Sequence, residues 1–326
     1  MKALVYVARH LETPVMIDKY IGITTNYLKE LGHEAAICHD LDCALLEIVD
    51  ADIYLGWHFP KELFPVTKKL KWIQFGSAGI DHTLFPELLE SEIILTTVSG
   101  IHPVPVAEHV MGLMLALTRR LYIAIEQQTR SEWNRKQISH TSEELSGKTV
   151  GIIGLGKIGL HIARLCKSFG MTVIGTKGNV GDPLPNVDVA LPPSGLDDVL
   201  QPSDVLVLVV PLTTGTRALI GERELDLMKP GSFIVNVARG QMIDHDALIK
   251  KLQSGHISGA ALDVFPEEPL PPDSPIWHAP NLIVTPHTGG STPSYPERAS
   301  EIFKANLDAF LSGKPMKNVF DRKRGY

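Results

Sequence analysis

Short apolar runs alternate with amphipathic stretches along the first 100 residues, which is the rhythm of a parallel α/β sheet. The runs predict five strands, at residues 4–7, 35–38, 53–55, 72–75 and 93–97. The stretches between them predict helices at residues 16–31, 41–49, 63–70 and 84–89. The pattern therefore indicates a small doubly wound domain.

The rhythm breaks at Gly100-Ile101-His102-Pro103 and resumes after a long helix that starts near Pro105. That helix is apolar nearly all round, so we expect it to be buried between domains or subunits. A polar stretch, residues 126–147, carries no predicted element. Later strands are predicted at residues 149–153, 172–175, 187–190, 205–210, 233–237, 259–264 and 282–285, and a last helix at 294–311. Because the last helix follows the second sheet, we expect it to return to the first domain.

Residues 154–159, Gly-Leu-Gly-Lys-Ile-Gly, join the predicted strand 149–153 to a helix that Gly170 ends. Between a strand and a helix, Gly-x-Gly-x-x-Gly is typical of dinucleotide binding. Gly154 allows the tight turn, Gly156 lets the backbone approach a pyrophosphate, and Gly159 lets helix and strand pack closely. The first N–H groups of the helix then face the phosphates. The other interpretation, a glycine-rich turn that binds nothing, fits this setting less well.

The composition is that of an ordinary globular protein, with 326 residues, 44% hydrophobic residues and a net charge of −6. This mild acidity argues against nucleic-acid binding, which normally needs a basic patch. No apolar run approaches a membrane span, and Lys2 and Arg9 interrupt the N-terminus too early for a signal peptide. The sequence does not place the charged tail, residues 320–326.

The three cysteines, Cys38, Cys43 and Cys166, fit a cytoplasmic protein that keeps its thiols reduced. Residues 38–43, Cys-His-Asp-Leu-Asp-Cys, superficially suggest a metal site. No second Cys/His pair completes such a site, so no metal is expected. Cys166 lies on the apolar face of the helix after the glycine turn and is expected in the core.

Three polar clusters each follow a predicted strand in the second half of the chain. They are Asn236-Val237-Ala238-Arg239-Gly240, Asp263-Val264-Phe265-Pro266-Glu267-Glu268-Pro269 and Thr285-Pro286-His287-Thr288-Gly289. The carboxyl ends of parallel strands meet at one edge of an open sheet, where ligands bind. Taken singly, Arg239 could form a strand-end salt bridge, Glu268 could cap a proline-rich loop, and His287 could be structural. Together on one edge they favour a catalytic set.

The order of these motifs resembles that of the D-isomer-specific 2-hydroxyacid dehydrogenase family, over essentially the whole chain. The resemblance implies a Rossmann NAD(P)-binding domain, residues 101–290, inserted into a flavodoxin-like substrate domain, residues 1–100 and 291–326. The expected fold class is therefore α/β, with two doubly wound parallel sheets. The resemblance also implies a homodimer, formed through the first helix of the insertion.

Matching the family's motifs residue by residue implies a catalytic set of Arg239, Glu268 and His287. Residues 77–81 look like the family's substrate-carboxylate loop, which implies that the N–H groups of Ala78 and Gly79 bind substrate alongside Arg239 and His287. The resemblance further implies that Asp263 contacts the nicotinamide carboxamide. The other implied cofactor contacts are Gly154, Leu155, Gly156, Lys157, Ile158, Gly159, Thr176, Lys177, Pro211, Val237, Ala238, Arg239, His287 and Gly289.

The chemistry of these residue types supports the same roles. Reduction of a 2-keto acid needs a hydride and a proton for the developing alkoxide, and a free histidine of pKa about 6.5 is mostly deprotonated at neutral pH. A neighbouring carboxylate favours the imidazolium, so Glu268 could keep His287 protonated as general acid, and neutral His287 serves as base in the reverse direction. Arg239 offers a planar fork matched to a carboxylate.

Three further residues carry weaker predictions. Trp57 and His58, after the third predicted strand, either wall the substrate pocket or only pack. Asp81 is expected to fix its turn rather than to bind ligand.

Lys177 departs from the usual pattern of NAD-binding units. Such a unit usually carries an acidic residue at the end of its second strand, where it holds the ribose 2′-hydroxyl. Here the strand ends Gly175-Thr176-Lys177, so we expect NADP to be preferred, with NAD possible. In the other interpretation Lys177 is only a solvated loop residue.

We expect a cytoplasmic NAD(P)-dependent oxidoreductase that reduces a small 2-keto acid, such as glyoxylate or hydroxypyruvate, to the D-2-hydroxy acid. The length leaves no room for an appended regulatory domain, which counts against a typical phosphoglycerate dehydrogenase. Related formate dehydrogenases have glutamine where Glu268 stands. The alternative is a dinucleotide-sensing corepressor on the same fold, which would need a peptide-binding groove. Pocket walls come from loops, so the sequence does not decide which 2-keto acid is used.

Overall fold

The computed structural model describes residues 1–8 and 14–325, and the chain divides into two compact units. The first unit comprises Met1–Ile101 and Thr292–Tyr326, and the second comprises His102–Ser291. Arg9, in the charged N-terminus, and Tyr326, at the end of the tail, lie outside the described residues. Both units are built on parallel sheets, which confirms the predicted fold class.

The described residues of the first unit form a parallel sheet with the strand order β2-β1-β3-β4-β5. Its strands are β1 (Lys2–Tyr6), β2 (Glu34–Cys38), β3 (Ile53–Gly56), β4 (Trp72–Phe75) and β5 (Ile94–Thr96). Its first three helices are α1 (Pro14–Glu30), α2 (Leu41–Glu47) and α3 (Pro86–Glu90). β3 and β4 are buried at every position, as expected for central strands covered on both faces.

Two sequence predictions fail in the first unit. Residues 63–70 do not form an α-helix; a short 3₁₀ helix, Lys61–Val66, stands there, because Pro65 interrupts α-helical hydrogen bonding. Cys38 and Cys43 are not reduced but are joined by a disulfide. Asp40 caps α2 by accepting from the Cys43 amide at 2.9 Å, and this tight turn brings Cys43 back to the end of β2.

The second unit starts with three helices, α4 (Pro103–Thr118), α5 (Leu121–Thr129) and α6 (Arg135–Ser139). α5 reaches into the stretch for which the sequence predicts no element, and α6 lies wholly within it. Half of the residues of α4 are buried, and within its own unit it packs on the helix after the glycine turn and on two strands of the sheet. Its burial between domains or subunits stays a prediction. Its fully buried side chains include Val110, Met114 and Leu117.

The sheet of the second unit has the strand order β12-β11-β10-β9-β6-β7-β8 among the described residues, with all pairs parallel. Its strands are β6 (Thr149–Ile153), β7 (Thr172–Thr176), β8 (Val189–Leu191), β9 (Val205–Leu208), β10 (Ser232–Asn236), β11 (Ile257–Leu262) and β12 (Leu282–Val284). Its remaining helices are α7 (Lys157–Ser168), α8 (Leu196–Leu200), α9 (Glu222–Leu227) and α10 (His245–Ser254). Cys166 is fully buried on α7, as expected.

The last helix, α11 (Tyr295–Leu311), belongs to the first unit and packs against α1. Phe303 on α11 stacks on Trp72 of β4 with ring centroids 5.6 Å apart. The tail, which the sequence does not place, runs along β5: Phe320 is buried, and the guanidinium of Arg322 donates to the carbonyl of Ile93 at 2.7 Å. No helix in the described parts of the chain is long and apolar enough to cross a membrane.

Candidate active site

The glycine turn between β6 and α7 is tight on one side and open on the other. Gly154 has a φ of +110°, and a Cβ there would lie 2.9 Å from the carbonyl oxygen of Val209. A Cβ on Gly159 would lie 2.1 Å from the carbonyl oxygen of Gly154, so helix and strand approach closely. Among the described residues nothing lies within 4 Å of the Cβ position of Gly156, and no side chain caps α7. An open, uncapped helix N-terminus is what a pyrophosphate requires, so these residues fit a dinucleotide.

The rest of the turn and the neighbouring strand ends carry the other predicted cofactor contacts. Leu155 is buried, Ile158 is half-buried, and Lys157 is exposed at the start of α7. Thr176 is the buried last residue of β7, and its carbonyl accepts from the Leu155 amide at 2.8 Å. Lys177 follows it and is half-buried, and its amide donates to the carbonyl of Leu191 at 2.8 Å.

Pro211 is exposed just past β9, where its carbonyl accepts from the Thr216 hydroxyl at 2.7 Å. Because β9, β6 and β7 are adjacent in the sheet, Pro211, the glycine turn and Lys177 follow three neighbouring strand ends.

Arg239 lies in a turn after β10 that Asn236 braces from within. The buried Asn236 side chain donates to the carbonyl of Arg239 at 2.9 Å and accepts from the Ala238 amide at 3.0 Å. The half-buried Arg239 guanidinium donates to the Ala238 carbonyl at 2.8 Å. Val237 and Ala238 form the turn itself. Asn236 belongs to the predicted motif without a predicted role, and its buried side chain holds the turn that carries Arg239.

Glu268 and His287 form an acid–base pair. The Nδ1 atom of His287 lies 2.6 Å from Oε2 of Glu268, and Oε1 of the same carboxylate accepts from the Phe265 amide at 2.8 Å. The hydrogen bond to Glu268 raises the pKa of His287, although burial opposes the charge. Burial also disfavours ionised Glu268, but the hydrogen bonds from His287 and the Phe265 amide and nearby positive charge outweigh it and lower the pKa of that carboxyl. The pair therefore favours imidazolium beside carboxylate.

The backbone at His287 adopts an uncommon conformation, with a φ of +52°. Its amide donates to the carbonyl of Asp263 at 2.9 Å. With Nδ1 bonded to Glu268, Nε2 is the ring nitrogen left for a ligand.

Asp263, at the end of β11, is buried and organises the turn that carries His287. Its Oδ1 accepts from the Thr285 hydroxyl at 2.6 Å and from the Thr288 amide at 2.9 Å, and its Oδ2 accepts from the Gly289 amide at 2.9 Å. Burial alone would raise the pKa of Asp263, but hydrogen bonds from two side chains and two amides outweigh it and lower that pKa. One of these donors, His109 on α4, is not among the predicted site residues. The sequence feature that could have pointed to it is a histidine within an otherwise apolar helix.

The predicted carboxylate loop lies in the first unit, directly after β4. Ala78 is exposed and Gly79 is half-buried, and among the described residues their amides donate no hydrogen bond within the protein. The hydroxyl of Tyr295 donates to the Gly76 carbonyl at 2.5 Å, just before this turn.

An aromatic group surrounds the start of this turn. The ring of Trp57 packs on Gly76 and against Tyr295, and Tyr20 contacts both rings. His58 is exposed and stacks on His82. These contacts support the packing interpretation of Trp57, and Tyr295 is a further residue of this region that the sequence does not predict.

An uncapped glycine turn, with a guanidinium and a carboxylate–imidazole pair on other strand ends of the same sheet, defines a nicotinamide-dinucleotide-dependent dehydrogenase. The sequence model of the D-isomer specific 2-hydroxyacid dehydrogenase NAD binding domain matches residues 111–289. The chain belongs to the D-isomer-specific 2-hydroxyacid dehydrogenase family.

Individual relatives differ in activity. The chain is 36% identical to a glyoxylate reductase of Thermofilum pendens, over 83% of this chain and 78% of that protein. It is also 36% identical to a D-3-phosphoglycerate dehydrogenase of Methanocaldococcus jannaschii, over 90% of this chain but 56% of that protein. A crystal structure of the NADPH-dependent glyoxylate/hydroxypyruvate reductase of Sinorhizobium meliloti, in complex with NADP and sulfate, matches with a TM-score of 0.85 at 26% identity, covering 100% of both chains.

Proposed function

We propose that this protein reduces a small 2-keto acid of the glyoxylate or hydroxypyruvate type to the D-2-hydroxy acid, with His287 as general acid. The observation that carries the proposal is the 2.6 Å contact between His287 and Glu268. The carboxylate of Glu268 favours the protonated imidazole, and this imidazolium can give the proton that carbonyl reduction needs.

When bound, a reduced nicotinamide dinucleotide supplies the hydride to the carbonyl carbon. The residues of the chain donate the proton and stabilise the charge. The carbonyl π bond breaks as the new C–H bond forms, and Nε2 of His287 gives its proton to the oxygen, leaving a neutral imidazole. Glu268 stays ionised throughout and orients the ring. In oxidation of the 2-hydroxy acid, neutral His287 accepts the proton.

The proposal assigns the substrate carboxylate to Arg239 and to the amides of Ala78 and Gly79. Arg239 presents a planar fork of N–H donors, and its turn is held rigid by Asn236. The amides of Ala78 and Gly79 offer two further donors at an accessible turn.

The residues that would hold the cofactor lie at the strand ends of the second unit. The residues of the glycine turn hold the pyrophosphate, Asp263 accepts from the carboxamide, and Gly289, Val237, Ala238 and Pro211 line the remaining contacts. NADPH is preferred over NADH because Lys177, a half-buried cation, stands at the end of β7 where an acid would hold a 2′-hydroxyl.

The decisive experiment is steady-state turnover with a panel of 2-keto acids, each tested with NADPH and with NADH. The panel contains glyoxylate, hydroxypyruvate, pyruvate and 3-phosphohydroxypyruvate. We expect the highest kcat/KM with a small unphosphorylated 2-keto acid and NADPH. Dinucleotide binding without turnover of any member would contradict the proposal and favour the alternative, a dinucleotide-sensing protein.

We further propose a homodimer in a cytoplasmic setting. Exposed apolar side chains on α5 and just beyond it, Leu121, Ile125 and Trp133, support the dimer, since Trp133 is 95% exposed in the single chain. Light scattering coupled to size exclusion tests the dimer. The Cys38–Cys43 disulfide is uncommon in a reducing compartment, so a count of free thiols in protein taken directly from cells tests the location.

A further inference from the structure

A histidine outside the catalytic set contacts the buried carboxylate of the second unit. His109, on α4, places Nε2 3.1 Å from the Thr285 hydroxyl oxygen and 3.4 Å from Oδ1 of Asp263. Its side chain is only 21% exposed, and the ring packs on Gly289, where a Cβ would lie 3.1 Å from Cδ2 of the histidine. His109 therefore reaches the network that supports the His287 turn from a separate helix.

The hydrogen-bond partners of His109 determine whether its Nε2 carries a hydrogen. Asp263 is ionised, because its pKa is lowered, so it has no proton to donate. The Thr285 hydroxyl has one hydrogen, and at 2.6 Å that hydrogen goes to Asp263. The hydroxyl therefore offers His109 only a lone pair, and the interaction at 3.1 Å requires a hydrogen on Nε2.

The carboxylate of Asp263 has one lone pair that no donor within the protein uses. Oδ1 receives the Thr285 hydroxyl and the Thr288 amide at short distance and lies beside His109. Oδ2 receives the Gly289 amide, and among the described residues it has no second donor. A carboxylate oxygen has two lone pairs, so Oδ2 retains one for a ligand N–H.

We propose that His109 is a positioning residue for the nicotinamide: its Nε2–H holds Thr285 and Asp263 so that Oδ2 of Asp263 accepts from the cofactor's carboxamide. This inference rests on the proposed function, because it takes Asp263 as the carboxamide acceptor. It adds a residue on α4 to the cofactor site and names the carboxylate oxygen that is used.

Three substitutions separate hydrogen bonding from packing. In His109→Gln the side-chain amide nitrogen can take the place of Nε2, whereas in His109→Asn it reaches only the place of Nδ1, and His109→Leu removes the donor. His278→Leu, at an exposed histidine, is the control. The readout is the dissociation constant of the reduced dinucleotide, measured by fluorescence without turnover. We expect the constant to rise about 10-fold for Asn and Leu and less than about 3-fold for Gln.

A second cofactor makes the readout specific to the carboxamide. 3-Acetylpyridine dinucleotide has a methyl ketone in place of the amide and so cannot donate to Asp263. For this analogue we expect all His109 variants to match the wild type within about 2-fold. In the wild-type protein, ¹⁵N spectra of the imidazole should show the proton of His109 on Nε2, a result that needs neither a variant nor activity.

Other results would contradict the positioning role of His109, the hydrogen on its Nε2 or the proposed function. Equal weakening by Gln, Asn and Leu with both dinucleotides would mean that His109 only fills space, and a proton on Nδ1 alone would refute the hydrogen count. Failure of the wild type to bind any nicotinamide dinucleotide would overturn the proposed function itself. That result is distinct, because it appears before any substitution is made.

Discussion

Nδ1 of His287 lies 2.6 Å from Oε2 of Glu268, and that carboxylate is itself held by the Phe265 amide. The side chains are 49% and 34% exposed, so the pair is fixed by the protein and still reachable from solvent. The contact joins the turns after β11 and β12, and it sets which ring nitrogen is free to exchange a proton with a ligand.

The pH profile of reduction should depend on Glu268. The hydrogen bond raises the pKa of His287, and the imidazolium is the active form, so activity falls as pH rises through this pKa. Glu268→Gln removes the negative charge and lowers that pKa, so the basic limb of kcat/KM should move to lower pH while activity at acid pH persists. Glu267→Gln, at the exposed neighbouring residue, is the control. An unmoved basic limb would exclude Glu268 from the mechanism.

Loss of the imidazole should reduce the chemical step. His287→Ala should lower kcat about 10²- to 10⁴-fold, the usual range for a positioned general acid. Dinucleotide affinity, measured by fluorescence, should change far less. His278→Ala, an exposed histidine in the same unit, should behave as wild type. A kcat within about 3-fold of wild type in the His287 variant would assign the proton to another group.

Arg239 should be irreplaceable by lysine. Arg239→Lys keeps the positive charge but loses the planar fork, so kcat/KM for the keto acid should remain strongly impaired. Arg223→Lys, on an exposed surface ion pair, serves as the control. Substrates with an amide in place of the carboxylate should fail with the wild type. If the lysine variant reduced the keto acid as well as wild type, the carboxylate would be bound elsewhere.

Cofactor preference should follow Lys177. A charge-assisted hydrogen bond to the 2′-phosphate contributes about 1.5–3 kcal/mol, so NADPH should be favoured by about 10- to 100-fold in kcat/KM. Solvent screening reduces this effect, because Lys177 is only half-buried. Lys177→Asp should reverse or abolish the preference, chiefly by raising the KM for NADPH. Lys250→Asp makes the same charge change at an exposed site on α10. Equal use of both cofactors before and after the Lys177 change would refute the role.

Tyr295 should position the turn of residues 77–79 through Gly76. Tyr295→Phe removes a 2.5 Å hydrogen bond to the Gly76 carbonyl but keeps the ring contacts with Trp57 and Tyr20. Such a bond contributes about 0.5–1.5 kcal/mol, so the KM for the keto acid should rise about 2- to 10-fold with little change in kcat. Tyr27→Phe, which loses a bond to Asp308 in the same unit, should leave the KM unchanged. A fall in kcat alone would argue for another role.

The sequence predicts the strands of both sheets well because their apolar runs are short and bounded by turns. It also predicts that Arg239, Asp263 and His287 follow strands, and the order β12-β11-β10 makes those strands neighbours. The sequence also predicts that Glu268 acts on His287, but the atoms and the distance of their contact depend on the path of the loop between Phe265 and Glu268, which no motif shows.

The failures have physical causes. Pro65 turns a helix-like apolar pattern into a 3₁₀ helix. α5 escapes prediction because its apolar residues, 121–125, are consecutive and are followed by polar ones, so they show no helical spacing. The disulfide depends on a capped turn that returns Cys43 to Cys38, which residue types alone do not reveal. His109 and Tyr295 are missed because each supports its site from a distant part of the chain.

The left-handed backbone of His287 lowers the stability of the fold at a residue that the proposed reaction needs. A non-glycine residue with φ of +52° is disfavoured by roughly 1–2 kcal/mol relative to glycine. Glycine or asparagine would satisfy the turn more easily, and neither could exchange a proton. We therefore expect an inactive His287→Asn protein to melt no lower than the active one. The residue with the clearest chemical role in the site therefore has a backbone conformation that opposes folding.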